Sequence, residues 1–303
     1  MQSDFIIQNH GKKNHNKLLS LKYFLQPNMI ITIQCQDRVG LVAQISEVLA
    51  ARNVNIITMR EFVDTANNNF FARLEVTNSS EISYINKTLQ SVLPNDAIVN
   101  VNPESQKNII VLVSKEYHCL SDILVRNHFK TLGANVQCVI GNHQILQDIC
   151  QRFNIPFHFI NHQNTEKQNF EQQIINTISN YSFDYIVLAK FMRILSPSFV
   201  AYFTHKIVNI HHSFLPAFIG ASPYKQAHNR GVKLIGATAH FVTNDLDEGP
   251  IITQQTTPVT HTYQTNDMVL SGKEIETAVL IKALQSLFAD KVFVYDNKTI
   301  VFD

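Results

Sequence analysis

The sequence predicts an α/β protein with two domains: a small domain of order βαββαβ, followed by a doubly wound domain whose sheet is mostly parallel. The chain has 303 residues, and at roughly 100–200 residues per domain this length favours two domains. Strand-like and helix-like segments alternate along the second part of the chain. Its strands are continuous apolar runs, which are typical of strands buried on both faces of a parallel sheet.

The composition favours a globular protein, because 45% of the residues are hydrophobic and 16% are charged. The 25 Lys and Arg residues nearly balance the 24 Asp and Glu residues, so we expect no nucleic-acid partner. We also expect no membrane partner, since no apolar run reaches the roughly 18 residues of a membrane span. The four cysteines match no zinc-binding spacing, which predicts reduced thiols, a cytoplasmic location and no metal site.

Residues 1–28 are predicted to form a tail in front of the first strand. This segment contains Lys12, Lys13, Lys17 and Lys22, but it lacks the compact apolar core of a signal peptide. A transit peptide is the alternative, although the segment contains no arginine.

The first predicted domain covers residues 29–102. Its predicted elements are, in chain order, a strand at 29–35, a helix at 41–52, strands at 53–64 and 70–76, a helix at 81–92 and a strand at 97–101. The first helix is supported by Leu41, Ile45 and Val48, which recur with helical spacing. The order βαββαβ is the ferredoxin-like arrangement.

The turn that opens the first helix has a recognisable sequence. The run DRVGL at 37–41, followed by Asn55 and Ile56 at the next strand, resembles an ACT domain. Gly40 permits a tight turn there, and free N–H groups at the helix start can receive a carboxylate. The resemblance implies a homo-oligomer and a small amino-acid effector bound at Asp37, Arg38, Gly40, Leu41, Asn55 and Ile56. A dimerisation module without a ligand is the alternative.

The second predicted domain covers residues 108–303, after a polar linker. Apolar strands are predicted at 109–113, 135–140, 185–188 and 207–210, with helices at 120–132 and 170–181 between them. In open parallel sheets, ligands bind at the carboxyl ends of the strands. The residues after Leu188 and Val208 are therefore the first candidates for a site.

Polar residues follow the strand at 207–210. Asn209 and His211 stand two residues apart, so they project from the same face of a strand. Their side chains can donate hydrogen bonds to a carbonyl oxygen that becomes negative during a reaction. Asp247 follows a predicted strand at 236–243, and its carboxylate can bind a histidine or orient a water. On these residues alone, a structural Asn–His pair and a solvated turn acid remain the alternatives.

Two longer strings carry a second resemblance. NIHHSFLP at 209–216, followed by HFVTNDLDEGP at 240–250, resembles the folate-dependent formyltransferase superfamily. The resemblance implies that Asn209, His211 and Asp247 are catalytic. It also implies a pocket for the folate substrate lined by Met192, Arg193, Ile194, Leu195, His240, Val242 and Asp245.

Within that superfamily, the chain resembles the branch that joins an ACT domain to the catalytic domain. Further strings resemble this branch: SKEYHCL at 114–120, GNH at 141–143, PAFIGA at 216–221 and VFVY at 292–295. The resemblance implies hydrolysis of 10-formyltetrahydrofolate to formate and tetrahydrofolate, which supplies formate for purine biosynthesis and needs no cofactor. Ser222 departs from the pattern, because the superfamily commonly carries Arg there.

The residues after the strand at 109–113 separate a hydrolase from a transferase. A phosphorylated acceptor would need converging backbone N–H groups in a Gly-rich loop, but residues 114–118 contain no glycine. Water is therefore the expected acceptor. A formyltransferase with an unrecognised acceptor, such as glycinamide ribonucleotide, is the alternative within the enzyme class. A catalytically silent folate or amino-acid sensor is the alternative outside it.

Overall fold

The computed structural model describes residues 28–102, 106–217 and 222–303. The predicted tail therefore lies outside the described residues apart from Asn28, and so does the end of the 216–221 string. The chain separates into two compact units, divided between residues 103 and 104. The strand that opens the second unit begins at Lys107, one residue before the predicted domain boundary. The predicted fold class is confirmed.

The first unit has the predicted order βαββαβ. Its strands are β1 (Met29–Gln36), β2 (Ile56–Asp64), β3 (Asn69–Val76) and β4 (Ile98–Asn102), and its helices are α1 (Leu41–Ala50) and α2 (Ile82–Val92). The strands form one antiparallel sheet in the order β2-β3-β1-β4. β2 begins three residues later than predicted, because Asn53 has a left-handed backbone, with φ of 54°, and Val54 N donates back to Leu49 O at 3.0 Å.

The core of the first unit lies between one face of this sheet and the two helices. Alternate residues of β1, such as Ile31 and Ile33, are fully buried in it. Ile45 from α1 and Ile85 and Leu89 from α2 pack into the same cluster. This is the arrangement that period-two strands and period-3.6 helices produce when their apolar faces meet.

The second unit is built on a seven-stranded sheet in the order β11-β10-β9-β8-β5-β6-β7. Its strands are β5 (Lys107–Val113), β6 (Ala134–Gly141), β7 (Phe157–Phe159), β8 (Tyr185–Leu188), β9 (Ile207–His211), β10 (Leu234–Phe241) and β11 (Ile251–Pro258). Neighbouring strands from β9 to β7 are parallel. β10 is antiparallel to both of its neighbours, β9 and β11. A hairpin of β12 (Val292–Tyr295) and β13 (Lys298–Val301) follows.

Helices cover both faces of this sheet. They are α3 (His118–His128), α4 (Gln147–Arg152), α5 (Lys167–Ile178), α6 (Pro197–Tyr202), α7 (Pro223–Arg230) and α8 (Thr265–Phe288). The predicted helix at 120–132 ends early as α3, because Lys130 and Gly133 have positive φ values of 58° and 84°. None of the described helices is both long and apolar enough to cross a membrane.

The strands of the second unit contribute alternately to two cores. Ile109 and Val111 of β5 pack into a cluster with α3, α4 and α8, whereas Ile110 and Leu112 pack into a cluster with α5 and α6. The continuous apolar runs in the sequence therefore correspond to strands buried on both faces. This sandwich brings the carboxyl ends of β5, β8 and β9 to one edge of the sheet.

Candidate active site

The pairing of β9 with β10 brings two predicted site residues together. The strands are antiparallel, and Asn209 lies opposite His240 in the register. His240 Nδ1 lies 2.8 Å from Phe241 O, so Nδ1 carries the proton and Nε2 is the acceptor. Asn209 Nδ2 then donates to His240 Nε2 over 3.2 Å. An amide nitrogen carries two hydrogens, so one N–H remains for a substrate oxygen.

His211 forms the second contact of the site. Its Nδ1 lies 3.1 Å from Asp247 Oδ1. The opposite ring nitrogen, Nε2, is buried and has no hydrogen-bond partner among the described residues. Since buried polar atoms are usually paired, an unpaired nitrogen on the floor of a cleft marks a place where a ligand atom can bind.

The loop after β10 carries Asp247 over these side chains. Asp247 has a positive φ of 60°, a conformation that Asp tolerates better than most residues. The loop also depends on Gly249, because a Cβ there would lie 1.8 Å from Phe241 O. Phe241 N donates to Pro250 O at 2.9 Å. The Gly-Pro pair therefore holds the loop against the end of β10.

The charges of the site follow from burial and from these contacts. Burial alone would raise the pKa of Asp247, but the hydrogen bond from His211 and the nearby imidazoles outweigh burial and lower this pKa below its usual range. Burial lowers the pKa of His240. At neutral pH the site therefore holds an ionised Asp247 and a neutral His240 beside His211.

All ten residues predicted for the catalytic and folate sites line one cleft of about 370 Å³. They are Met192, Arg193, Ile194, Leu195, Asn209, His211, His240, Val242, Asp245 and Asp247. Apolar side chains on both walls are exposed, with Met192 at 58%, Ile194 at 63% and Leu246 at 57%. Exposed apolar walls of this kind suit a flat aromatic ligand.

Two buried residues that the sequence did not reveal hold one wall of the cleft. Ser114 Oγ accepts a hydrogen bond from Met192 N at 3.0 Å. Glu171 Oε1 accepts one from Ser196 N at 2.7 Å. Each residue anchors one end of the wall segment. Ser222, where Arg was expected, is exposed just before α7 and makes no capping hydrogen bond there.

A buried ionic cluster beside the cleft was also missed. Glu276 of α8, which is 1% exposed, accepts hydrogen bonds from His118 Nε2 at 2.8 Å and from Tyr224 Oη at 2.6 Å. Lys190 Nζ lies 3.0 Å from Glu276 Oε2, the same oxygen that His118 Nε2 binds. The sequence feature that could have indicated this cluster is a glutamate among Ile275, Val279 and Leu280, on the otherwise apolar stripe of a helix.

His118, Cys119 and Glu276 place potential metal-ligand atoms within 4.8 Å of one another. The carboxylate of Glu276 is already occupied by an ammonium, an imidazole and a phenol. Burial also raises the pKa of the Cys119 thiol, which opposes the thiolate form that binds metals. We therefore assign no metal to this cluster.

The six residues predicted for the effector site do not converge within one chain. Asp37 N donates to Asn68 O at the end of β1, whereas Asn55 N donates to Thr77 Oγ1 at the opposite end of the sheet. At about 3.3 Å per strand residue, these ends are roughly 25 Å apart. Ile56 begins β2 beside Asn55 and belongs to the far end.

Two of these predicted residues also have contacts within the first unit. Arg38 Nη2 donates to Gln44 Oε1 at 2.8 Å and to Val92 O at 2.7 Å, which ties the loop to the end of α2. Leu41 is 2% exposed and belongs to the core. Gly40 has a φ of 93°, and nothing lies within 4 Å of the position of a Cβ there. Of the predicted set near α1, Arg38 and Gly40 are exposed and Asp37 is half-buried.

Comparison with known proteins assigns the class. A model of the formyl transferase family matches residues 107–284, and a model of the ACT domain matches residues 29–93. The structure of glycinamide ribonucleotide transformylase 1 from Symbiobacterium toebii is similar, with a TM-score of 0.63 at 26% identity, over 66% of this chain and 95% of that one. The fold and the cleft therefore define a formyl transferase-type domain preceded by an ACT domain.

The chain belongs to the formyltetrahydrofolate deformylase family. The formyltetrahydrofolate deformylase of Escherichia coli K12 is 45% identical over 277 residues, which cover 91% of this chain and 99% of the relative. The crystal structure of a formyltetrahydrofolate deformylase from Pseudomonas syringae pv. tomato is also similar, with a TM-score of 0.87 at 36% identity. That match covers 96% of this chain and 99% of the other. Both units of this chain are therefore shared with the family.

The Glu276 cluster predicts a specific acid sensitivity. Burial alone would raise the pKa of Glu276, but the contacts with His118, Lys190 and Tyr224 outweigh burial and lower it from 4.5 to about 2. The ionised form therefore stabilises the fold above about pH 4.5, and this contribution is lost as the pH falls towards about 2. In Glu276→Gln, the urea midpoint should change less than in wild type between about pH 5 and about pH 3.

The control for that measurement is Glu274→Gln, which removes an exposed carboxylate from the same helix. Its urea midpoint should follow the wild-type pH dependence. An equally steep pH dependence in Glu276→Gln would show that Glu276 does not contribute to stability in this way.

Proposed function

We propose that this chain hydrolyses 10-formyltetrahydrofolate to formate and tetrahydrofolate. The observation that carries the proposal is the meeting of Asn209, His211 and Asp247 on the floor of a cleft with apolar walls. The relatives named formyltetrahydrofolate deformylase support the same reaction. The folate would lie between the wall formed by Met192, Arg193, Ile194 and Leu195 and the wall formed by His240, Val242 and Asp245.

Asn209 and His211 would hold the formyl oxygen. The unused N–H of Asn209 Nδ2 and the unpaired Nε2 of His211 are both available on the cleft floor. Because His211 Nδ1 faces Asp247, Nε2 donates a hydrogen bond only when the ring is protonated. The carboxylate of Asp247, 3.1 Å from Nδ1, would pair with the ring in that form. The two donors would then stabilise the negative oxygen of the tetrahedral intermediate.

Asp247 would also orient the attacking water or accept its proton. Its low pKa keeps it ionised at neutral pH, which is the form that this role needs. As the bond from carbon to nitrogen breaks, His211 can pass its Nε2 proton to the departing nitrogen. The proposed reaction uses folate and water alone, so it needs no cofactor.

Water is the acceptor that the neighbouring residues favour. The loop between β5 and α3 contains no glycine, and the first residue of α3, His118, binds Glu276 instead of facing an open anion site. This loop therefore lacks the Gly-rich sequence expected to bind the phosphate of a phosphorylated acceptor. The formate produced would serve purine biosynthesis and the balance of one-carbon folates. The four cysteines are free and buried, in keeping with the cytoplasmic location that we propose.

Substituting the proposed catalytic residues tests their roles. Asp247→Asn should lower kcat by about 10²–10⁴, the range for losing a positioned acid–base group. Asn209→Ala should lower kcat by about 10²–10³, because one oxyanion donor is lost. Folate affinity, measured by titration, should change little in either variant. Asp148→Asn, at an exposed position in α4, is the control, and near wild-type turnover in Asp247→Asn would contradict the role of Asp247.

A second experiment separates hydrolysis from formyl transfer. Given 10-formyltetrahydrofolate alone, the enzyme should release formate and tetrahydrofolate in equal amounts, because water is present in any assay. Adding glycinamide ribonucleotide should not raise the rate. If formate is not released alone and a formylated ribonucleotide appears on addition, the chain is a transferase.

For the first unit we propose an amino-acid effector bound by its carboxylate at the start of α1, in a homo-oligomer. The α1 start has a glycine cap with positive φ and no capping side chain, which leaves N–H groups available. Since Asn55 and Ile56 lie at the far end of the sheet, an effector that also contacts them would have to bridge two copies.

Isothermal titration of the common amino acids against the whole enzyme tests this proposal. At least one should bind and change the rate of formate release. The same titration with Gly40→Val should show weaker binding, because a β-branched residue disfavours the positive φ of the turn. If no amino acid binds or alters the rate, the unit has no amino-acid effector.

A further inference from the structure

Lys190 follows the end of β8 and has no part in the mechanism proposed above. In the parallel register, Leu188 at the end of β8 lies beside Asn209 of β9. Lys190 follows two residues after Leu188, beyond the end of β8. Lys190 is 7% exposed and has a positive φ of 61°. It lines the same cleft as Asn209 and His211.

The ammonium of Lys190 contacts Glu276, which is in turn bound by residues of two other helices. Its Nζ lies 3.0 Å from Glu276 Oε2, and Glu276 is itself held by His118 of α3 and Tyr224 of α7. Gly272 gives the Tyr224 ring room against α8, because a Cβ there would lie 2.2 Å from Tyr224 Oη. An ammonium has three N–H donors, and Glu276 is its one ion-pair partner within the described part of the chain.

His212 also lines the cleft. The ring of His212 lies 5.1 Å from the ring of His211 and 6.2 Å from that of Tyr224. Burial and the charge of Lys190 lower the pKa of His212 to about 4. His212 is therefore neutral at neutral pH, so it adds no positive charge to that of the Lys190 ammonium.

Hydrolysis creates a need for such a cation, whereas transfer to an amine does not. In hydrolysis, the water oxygen forms a bond with the formyl carbon and the carbon–nitrogen bond breaks, its electron pair and one proton going to the nitrogen. Formic acid then gives its proton to solvent water, so a neutral formamide and water yield the amine, the formate anion and one released proton. A carboxylate in a buried site is unfavourable unless it is paired. Asp247, which is already ionised and lies 3.1 Å from His211, makes an additional carboxylate without a partner still less favourable.

We propose that Lys190 Nζ binds an oxygen of the formate as it is produced, with Glu276, His118 and Tyr224 as the positioning residues that hold the ammonium at the cleft floor. This inference rests on the proposed hydrolysis. It assigns Lys190 a site for a small carboxylate, separate from the walls that would hold the folate.

Product inhibition by formate tests the proposal, with tetrahydrofolate present and ionic strength held constant. Wild type should be inhibited by formate. In Lys190→Met the inhibition constant for formate should rise by about tenfold or more, because a charge-assisted hydrogen bond is lost. The inhibition constant for tetrahydrofolate should change less than about twofold, since the ammonium is assigned to formate. Lys273→Met, which removes a lysine paired with Glu116 outside the cleft lining, should match wild type in both constants.

If Lys190→Met does not fold, the double variant Lys190→Met/Glu276→Met replaces it, because removing both charges of a buried pair is tolerated far better than removing one. An unchanged formate constant in the folded variant, or no inhibition of an active wild type, would overturn the assignment of Lys190. A wild type that releases no formate from 10-formyltetrahydrofolate would overturn the proposed function itself, so the two failures are distinguishable.

Discussion

The antiparallel pairing of β10 with β9 is the interaction on which the site depends. It places His240 opposite Asn209, and it makes the loop after β10 fold back over the face that carries His211. The loop can approach because Gly249 has no side chain at the position where Phe241 O lies. The amide of Asn209, the ring of His211 and the carboxylate of Asp247 are all oriented by this one change of strand direction in a parallel sheet.

A second constraint comes from the buried carboxylate of Glu276. One residue of α8 joins α3, α7 and the segment after β8 by binding His118, Tyr224 and Lys190. Buried charges are retained in folded proteins when they are paired and hydrogen-bonded, and this one is. The cluster thereby connects three helices to Lys190 in the cleft lining. It also binds the side chain of His118, the first residue of α3.

Most secondary structure could be predicted because the relevant patterns are local. The alternation of Ile109 to Leu112 between two cores appears in the sequence as an uninterrupted apolar run, and the helical spacing of Leu41, Ile45 and Val48 is equally direct. Element ends were less accurate, because left-handed residues such as Lys130 end a helix without any change in its apolar pattern. The ten residues predicted from strand periodicity and from characteristic strings line one cleft of the second unit.

The sequence by itself determined the order of the elements, the two-domain plan and the strings that carry Asn209, His211 and Asp247, because these depend on residues close together in the chain. Only the tertiary structure decided which distant side chains meet. It paired Lys190 with Glu276, and it separated Asp37 from Asn55 by the length of β1. Such distances depend on sheet order and on helix packing, which arise from the burial of all the apolar faces together and are not encoded in any single segment.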